Sequence, residues 1–237
     1  MKVILLYLQA LFSNMKKLLS NILVQVNDKL YLKNPESSEL GKKIITNSIN
    51  MIYEIGFEKF TFRKLGEKIG SNESSIYRYF ENKHKLLLYL SCWYWGWIEY
   101  KLVFTTNSIP DPEEKLKQAL VIITETIEED SSFSHINEVY LNKILISEHS
   151  KSYLTKEIDI ENKEGYFSIY KRLIFRLTEM ITTVAPDYKY PKSLISLVME
   201  GALHQNFLKE HMSSITDCDS NTDSTDFFIN LVFSAIK

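Results

Sequence analysis

The chain has 237 residues, 45% hydrophobic, 13% aromatic and 24% charged, a globular composition that excludes disordered, collagen-like and mucin-like chains. Seven Gly and five Pro supply too few turn residues for a many-stranded all-β domain, so an all-α protein is expected. The formal charge of −2 divides unevenly, with 14 Lys/Arg against 8 Asp/Glu in residues 1–90 and 14 against 22 in residues 91–237; a basic first part suits a polyanion, although a solvated face carries such an excess as well.

Val3 to Phe12 is the longest apolar stretch near the start. Gln9 interrupts it and no small-residue cleavage site follows, so neither a secretion signal nor a membrane span is expected. Met15-Lys16-Lys17 reads like a natural start, which leaves residues 1–14 as either an extension or an artefact. Residues 1–33 are read as an arm, with alternating apolar residues either side of Asn27-Asp28 predicting a short hairpin. Asn34-Pro35-Glu36 then offers a cap, a first-turn proline and an acid for a helix carrying Leu40, Ile44, Ile45, Ile52 and Ile55, ended by Gly56.

Thr61 caps a short predicted helix, Phe62 to Lys68, closed by Gly70. Asn72 caps a second, Glu73 to Phe80. Two short helices joined by a tight turn make a helix-turn-helix, whose second helix can enter a major groove. A long helix follows from Lys83, with Leu86, Leu90, Trp93, Trp97, Tyr100 and Phe104 at helical spacing as an aromatic stripe. Asp111-Pro112-Glu113 starts a helix to about Asp130, and shorter helical patterns follow around Ile136 to Tyr153. From Ile160 to Val184 the apolar set is too wide for one face, which predicts a helix buried on two sides, one of them against a second copy of the chain. Helices over Lys192 to His211 and Phe227 to Ile236 complete the chain, with a loop over Ser213 to Thr225 and Asp223 or Ser224 as a cap.

The segment from Ile55-Gly56-Phe57 to Ile69-Gly70, followed by Ser75-Ile76-Tyr77-Arg78-Tyr79-Phe80-Glu81-Asn82-Lys83 and Leu86-Leu87, resembles the DNA-binding domain of TetR-like transcription regulators. That resemblance implies a helix-turn-helix domain over residues 34–88 and a helical regulatory and dimerisation domain over 89–237. It implies a homodimer that binds double-stranded operator DNA and lets go when a small molecule binds the second domain. Position by position, it implies phosphate contacts at Thr61, Tyr77 and Lys83 and groove contact at Tyr79. Base reading falls to Glu73, Ser74, Ser75 and Arg78, since Arg reads guanine and Glu accepts from cytosine; Lys42, Arg63 and Asn72 complete the DNA-facing set. Ser71, Gly66 and Ser74 depart from the family's usual residues. Phe80 reads as core, and Tyr77 as either core or phosphate contact.

Trp93, Trp97, Tyr100 and Phe104, with Phe167, Tyr170 and His204, are the candidate ligand-binding residues, weighed against plain core packing. The aromatic content points to an apolar or aromatic ligand. Glu200, His204 and His211 lie near one helical face but lack the histidine spacing of zinc helices, so a solvated or interface face is the stronger reading. Asp217, Asp219, Asn221 and Asp223 alternate as in a calcium loop, yet Thr222 and Phe228 occupy its glycine and glutamate positions. Cys92 and Cys218 form neither a disulfide framework nor a metal pair, which fits a reducing cytoplasm. No enzyme motif is present, and no metal or cofactor is expected. The expected function is a cytoplasmic, ligand-released repressor. The alternative is a DNA-architectural or protein-interaction module without an inducer, which predicts a body with no cavity.

Overall fold

The computed structural model describes residues 24–127, 135–218 and 224–237, and the described residues are helical with no strand. They pack as two units, residues 24–86 with 127 and 135–144, and residues 87–126 with 145–218 and 224–237.

In the first unit, Ser38 caps α1 (Glu39–Lys59) by accepting from the Gly41 N–H at 3.2 Å. Ile44, Ile45, Ile49 and Ile52 turn one face of α1 into the core, at most 2% exposed. Gly56 interrupts the helix with φ 78° and ψ 156°, a conformation that costs a residue without Cβ nothing, and the chain leaves at a new angle. Thr61 caps α2 (Phe62–Ile69) by accepting from the Lys64 N–H at 3.3 Å, and Gly70 closes it. Asn72 caps α3 (Glu73–Tyr77) by accepting from the Ser75 N–H at 2.9 Å. Residues 135–144 belong to this unit: the Thr46 hydroxyl donates to the His135 carbonyl, His135 Nε2 lies 3.0 Å from a Glu36 carboxylate oxygen, and Tyr140 stacks on Tyr53 at 4.0 Å.

Three local expectations are corrected. The hairpin is absent from the described residues 24–32; Asn27 instead caps a 3₁₀ turn, Asp28–Leu30, whose Leu30 is buried. The Leu32 N–H donates to the Tyr79 carbonyl at 2.8 Å, so this arm docks on the helix-turn-helix. Asn34 and Pro35 begin only a 3₁₀ turn, Pro35–Ser37, before the Ser38 cap. The second helix ends at Tyr77 and not at Phe80, because the Tyr79 and Phe80 N–H groups both converge on the Ile76 carbonyl. Expectations for residues 1–23, 128–134 and 219–223, including a natural start at Met15 and a cap at Asp223, lie outside the described residues.

In the second unit, α4 (Lys83–Thr106) belongs from Leu87 onward and is buried all round through Glu99. Asp111 caps α5 (Pro112–Thr124) by accepting from the Glu114 N–H at 2.8 Å. After α6 (Glu138–Tyr153), the single long helix expected from Ile160 is broken into α7 (Ile158–Lys163) and α8 (Ser168–Val184), separated at Gly165. α5, α8 and α9 (Pro191–His211) pack on one another, and α10 (Ser224–Ala235) covers α5 and α9.

Gly66 marks the tightest approach in the helix-turn-helix: a Cβ there would lie 2.8 Å from the Ser71 carbonyl oxygen and 3.3 Å from the Glu73 nitrogen. Gly66→Ala therefore loses more to this backbone clash than the helix gains from alanine, and denaturant unfolding should show a net destabilisation of about 1–3 kcal/mol.

Candidate functional site

Two places bring chemistry-bearing residues together. The first is the outward side of the helix-turn-helix, where Ser74, Tyr77 and Arg78 are exposed and Glu73 and Ser75 are partly so. The Tyr77 ring rests edge-on against Phe62 at 5.0 Å while 46% of the residue stays exposed, so its ring is anchored from one side. Thr61, Arg63 and Lys64 are exposed at the start of α2, where free backbone N–H groups favour an anion. Arg63 pairs with Glu67 at 3.2 Å on an exposed face, an interaction weak enough to yield to phosphate. Lys42 stands one turn into α1, 3.7 Å from Glu39. Asn72 Oδ1 accepts from the hydroxyls of Ser74 and Ser75 as well as the Ser75 N–H, so this side chain is committed to holding the turn.

Two residues of the expected DNA-facing set have different employment. Tyr79 is 3% exposed and its hydroxyl is 2.8 Å from Ser38 Oγ; it joins α1 to the end of the recognition segment and offers no groove contact. The Lys83 ammonium points inward to the carbonyls of Phe57, Glu58 and Phe60 at 3.0, 3.3 and 3.5 Å, over the Phe57 ring. All three of its donors are occupied, so Lys83 ties the start of α4 to the end of α1 and does not reach outward for phosphate. Lys83→Met should destabilise the first unit by about 1–3 kcal/mol in denaturant melts, through carbonyls left without their charged donor.

The second place is a cavity of about 510 Å³ within the second unit, a size usual for small-molecule sites. α4 lines it with Leu88, Ser91, Cys92 and Trp95, and α9 contributes Glu200. Glu200 is its polar end. The carboxylate accepts from the hydroxyls of Tyr153 at 2.7 Å and Tyr170 at 2.8 Å, and His149 Nε2 stands 3.3 Å away. Trp95 packs against Tyr170 and His149, with ring centroids 5.1 and 5.7 Å apart, so that aromatic rings surround the charge.

Burial alone would raise the Glu200 carboxyl, but the hydrogen bonds and charge of His149 and the two phenol hydroxyls outweigh it and hold the group down at about 2. Burial, together with Glu200, pushes both Tyr153 and Tyr170 above the ordinary phenol range. Burial pushes the Cys92 thiol up to about 12, and the thiol donates to the Tyr166 carbonyl at 3.0 Å. These shifts run away from neutrality, the reverse of what general acid–base catalysis needs. Ser91 Oγ and His149 Nδ1 are both buried without a hydrogen-bond partner, so they do not bond each other and form no nucleophile–base pair. Such an arrangement suits holding a ligand. Among the described residues, no three His, Cys, Asp or Glu side chains are grouped to hold a metal.

Phe167 and Tyr170 of the expected ligand set line this cavity. Trp93 and Trp97 are buried elsewhere, Tyr100 is half-buried, and Phe104 and His204 face outward. The physical reason is that α4 is buried all round, so its aromatic stripe does not mark the cavity side; the lining face is offset and carries the small polar Ser91 and Cys92. Glu200 parts from His204 and His211, which are exposed. Its signal in the sequence was a lone carboxylate among the apolar residues Leu194 to Leu203. A depressed carboxyl stabilises the fold above its ordinary range and loses that contribution as pH falls toward 2. The unfolding free energy of the parent chain should therefore exceed that of Glu200→Gln by about 1–2 kcal/mol near neutral pH, allowing for partial solvent access, and the gap should close between about pH 5 and 2.

Residues 44–90 match the family model described as bacterial regulatory proteins, tetR family. The crystal structure of AibR in complex with isovaleryl coenzyme A and operator DNA is similar in fold, with a TM-score of 0.56 and 14% sequence identity over 81% of this chain and 97% of that one. No curated protein matches the chain. No described helix is long and apolar enough to cross a membrane. Residues 44–90 thus carry the helix-turn-helix signature of the tetR family of bacterial regulatory proteins.

Proposed function

We propose that the chain is a homodimeric transcriptional repressor that binds a near-palindromic operator and releases it when a small molecule fills the cavity. The observation that carries this reading is that one chain holds both a helix-turn-helix with Tyr77 and Arg78 turned outward and an apolar cavity with one charged end. AibR, whose fold is similar, binds operator DNA and an organic ligand in one complex, which supports the pairing of these two sites. A cavity in the body also weighs against a DNA-architectural module without an inducer.

Phe175 on α8 and Leu197 on α9 are 54% and 59% exposed. A second copy of the chain would cover such apolar side chains, which supports these two helices as the dimer surface. In the operator complex, Thr61, Arg63 and Lys42 take phosphates, Glu73, Ser74, Ser75 and Arg78 meet base edges, and the Tyr77 hydroxyl takes a phosphate. Both α4 and α6 have residues in each unit. A ligand that prefers one arrangement of the cavity biases those helices, and the paired heads then no longer match half-sites about one helical turn apart.

Selection of bound sites from random duplex DNA should yield a near-palindrome whose affinity falls steeply with salt. On that duplex, Arg78→Ala should cost about 1–3 kcal/mol and relax one base position. Arg63→Ala should weaken all sequences alike and lower the salt slope by about 1 per subunit. Binding that stays sequence-independent, with or without candidate ligands, would overturn the reading.

A further inference from the structure

We propose that the cavity recognises a protonated amine on an apolar or aromatic body, with the ammonium seated against Glu200. This rests on the cavity being the effector site and adds the chemical class of its ligand.

The carboxylate at the polar end of the cavity is placed to accept. Glu200 Oε1 takes bonds from His149 and Tyr170 and Oε2 takes one from Tyr153, which leaves one of about four lone-pair positions of the carboxylate open. The Ser91 hydroxyl oxygen, whose residue is 5% exposed, is buried without a hydrogen-bond partner and can accept. An ammonium, which only donates and carries up to three N–H bonds, answers the open position on the carboxylate. A carboxylate or phosphate would bring further acceptors against an already ionised carboxylate, at a cost that grows with burial.

The walls agree with the charge. Trp95, Tyr166, Phe167 and Tyr170 line the cavity, and an aromatic face attracts a cation through its quadrupole. Two lysines also border the cavity. The Lys171 ammonium is bonded to Asn162 Oδ1. Lys192 is exposed in the first turn of α9, a little over two turns from Glu200, which is roughly 12 Å of helix rise. Glu200 is thus the one carboxylate among the lining residues, and both lysines of the lining are exposed to solvent.

Three probes of nearly equal shape separate head-group charge from body: 4-phenylbutylamine, 4-phenyl-1-butanol and 4-phenylbutyrate, titrated by calorimetry into the purified full chain near neutral pH without DNA. The amine should bind at least about 10-fold more tightly than either of the others. In Glu200→Gln the preference should vanish. Tyr153→Phe, which keeps the ring and uncovers a carboxylate oxygen, should retain it, and thermal melts establish that both variants are folded. Equal or tighter binding of the alcohol or the carboxylate overturns the proposal, as does an amine preference that survives in folded Glu200→Gln, or no binding of any probe at millimolar concentration. Preference for the anion would overturn the amine class alone and leave a ligand-responsive regulator standing, whereas failure to select an operator would overturn the regulator and leave this measurement intact.

Discussion

An ionised carboxylate at the half-buried end of an apolar cavity is held there by the hydrogen-bond donors that converge on it, because removing even part of its hydration without partners is costly. Glu200 of α9 meets that condition with donors from two other helices, Tyr153 and His149 on α6 and Tyr170 on α8. The requirement fixes more than the carboxylate. It sets the rotation of α6 about its own axis, since His149 and Tyr153 lie one turn apart and must face Glu200 together, and it holds the rings of Tyr153 and Tyr170 at the rim of the charge. The cavity opens beside this polar contact, among the aromatic side chains that line it.

Another carboxylate, this one buried, ties α8 to α4. Glu99 on α4 is 7% exposed and takes hydrogen bonds from the guanidinium groups of Arg172 and Arg176 on α8, with three of the contacts at 2.7 to 2.9 Å. Burial would raise its carboxyl, and the two arginines instead lower it. The pairing is charge-rich and complete, and the arginines keep much of their surface in water, which limits the desolvation cost. α8 is thereby held to α4 near its middle and to α9 through Tyr170, while the stretch of α4 from Leu88 to Trp95 faces the open volume. A helix anchored at one side by ion pairs and facing a cavity at the other is placed to respond to what fills that cavity.

The helix-turn-helix was legible because its signals are local. Thr61, Gly70 and Asn72 mark ends that backbone hydrogen bonding demands, and the spacing of Leu65, Ile76 and Phe80 gives the core of a small unit. The cavity was not legible for the opposite reason. Its polar end joins residues 149, 153, 170 and 200, which no sequence period connects, and the helix that walls it is apolar on every side, so hydrophobic spacing carries no information about which face meets empty space. The Ile160 to Val184 pattern was broad for a reason periodicity does not reveal either: Gly165 divides it into two helices, each with its own buried side. The hairpin expectation failed because Asn and Asp serve a 3₁₀ cap as readily as a hairpin turn, and burial of Leu30 decided between them.

Tyr79 and Lys83 show where a motif stops being a list of contacts. Both residue types can touch a phosphate, and both are spent within the unit: Tyr79 through Ser38, Lys83 through three carbonyls at the end of α1. A lysine used in this way makes the first turn of α4 part of the DNA-binding unit, while α4 from Leu87 onward belongs to the unit with the cavity. α6 repeats the arrangement, with Tyr140 stacked on Tyr53 near its start and His149 and Tyr153 at the cavity near its end. Two continuous helices therefore have one end fixed in each unit.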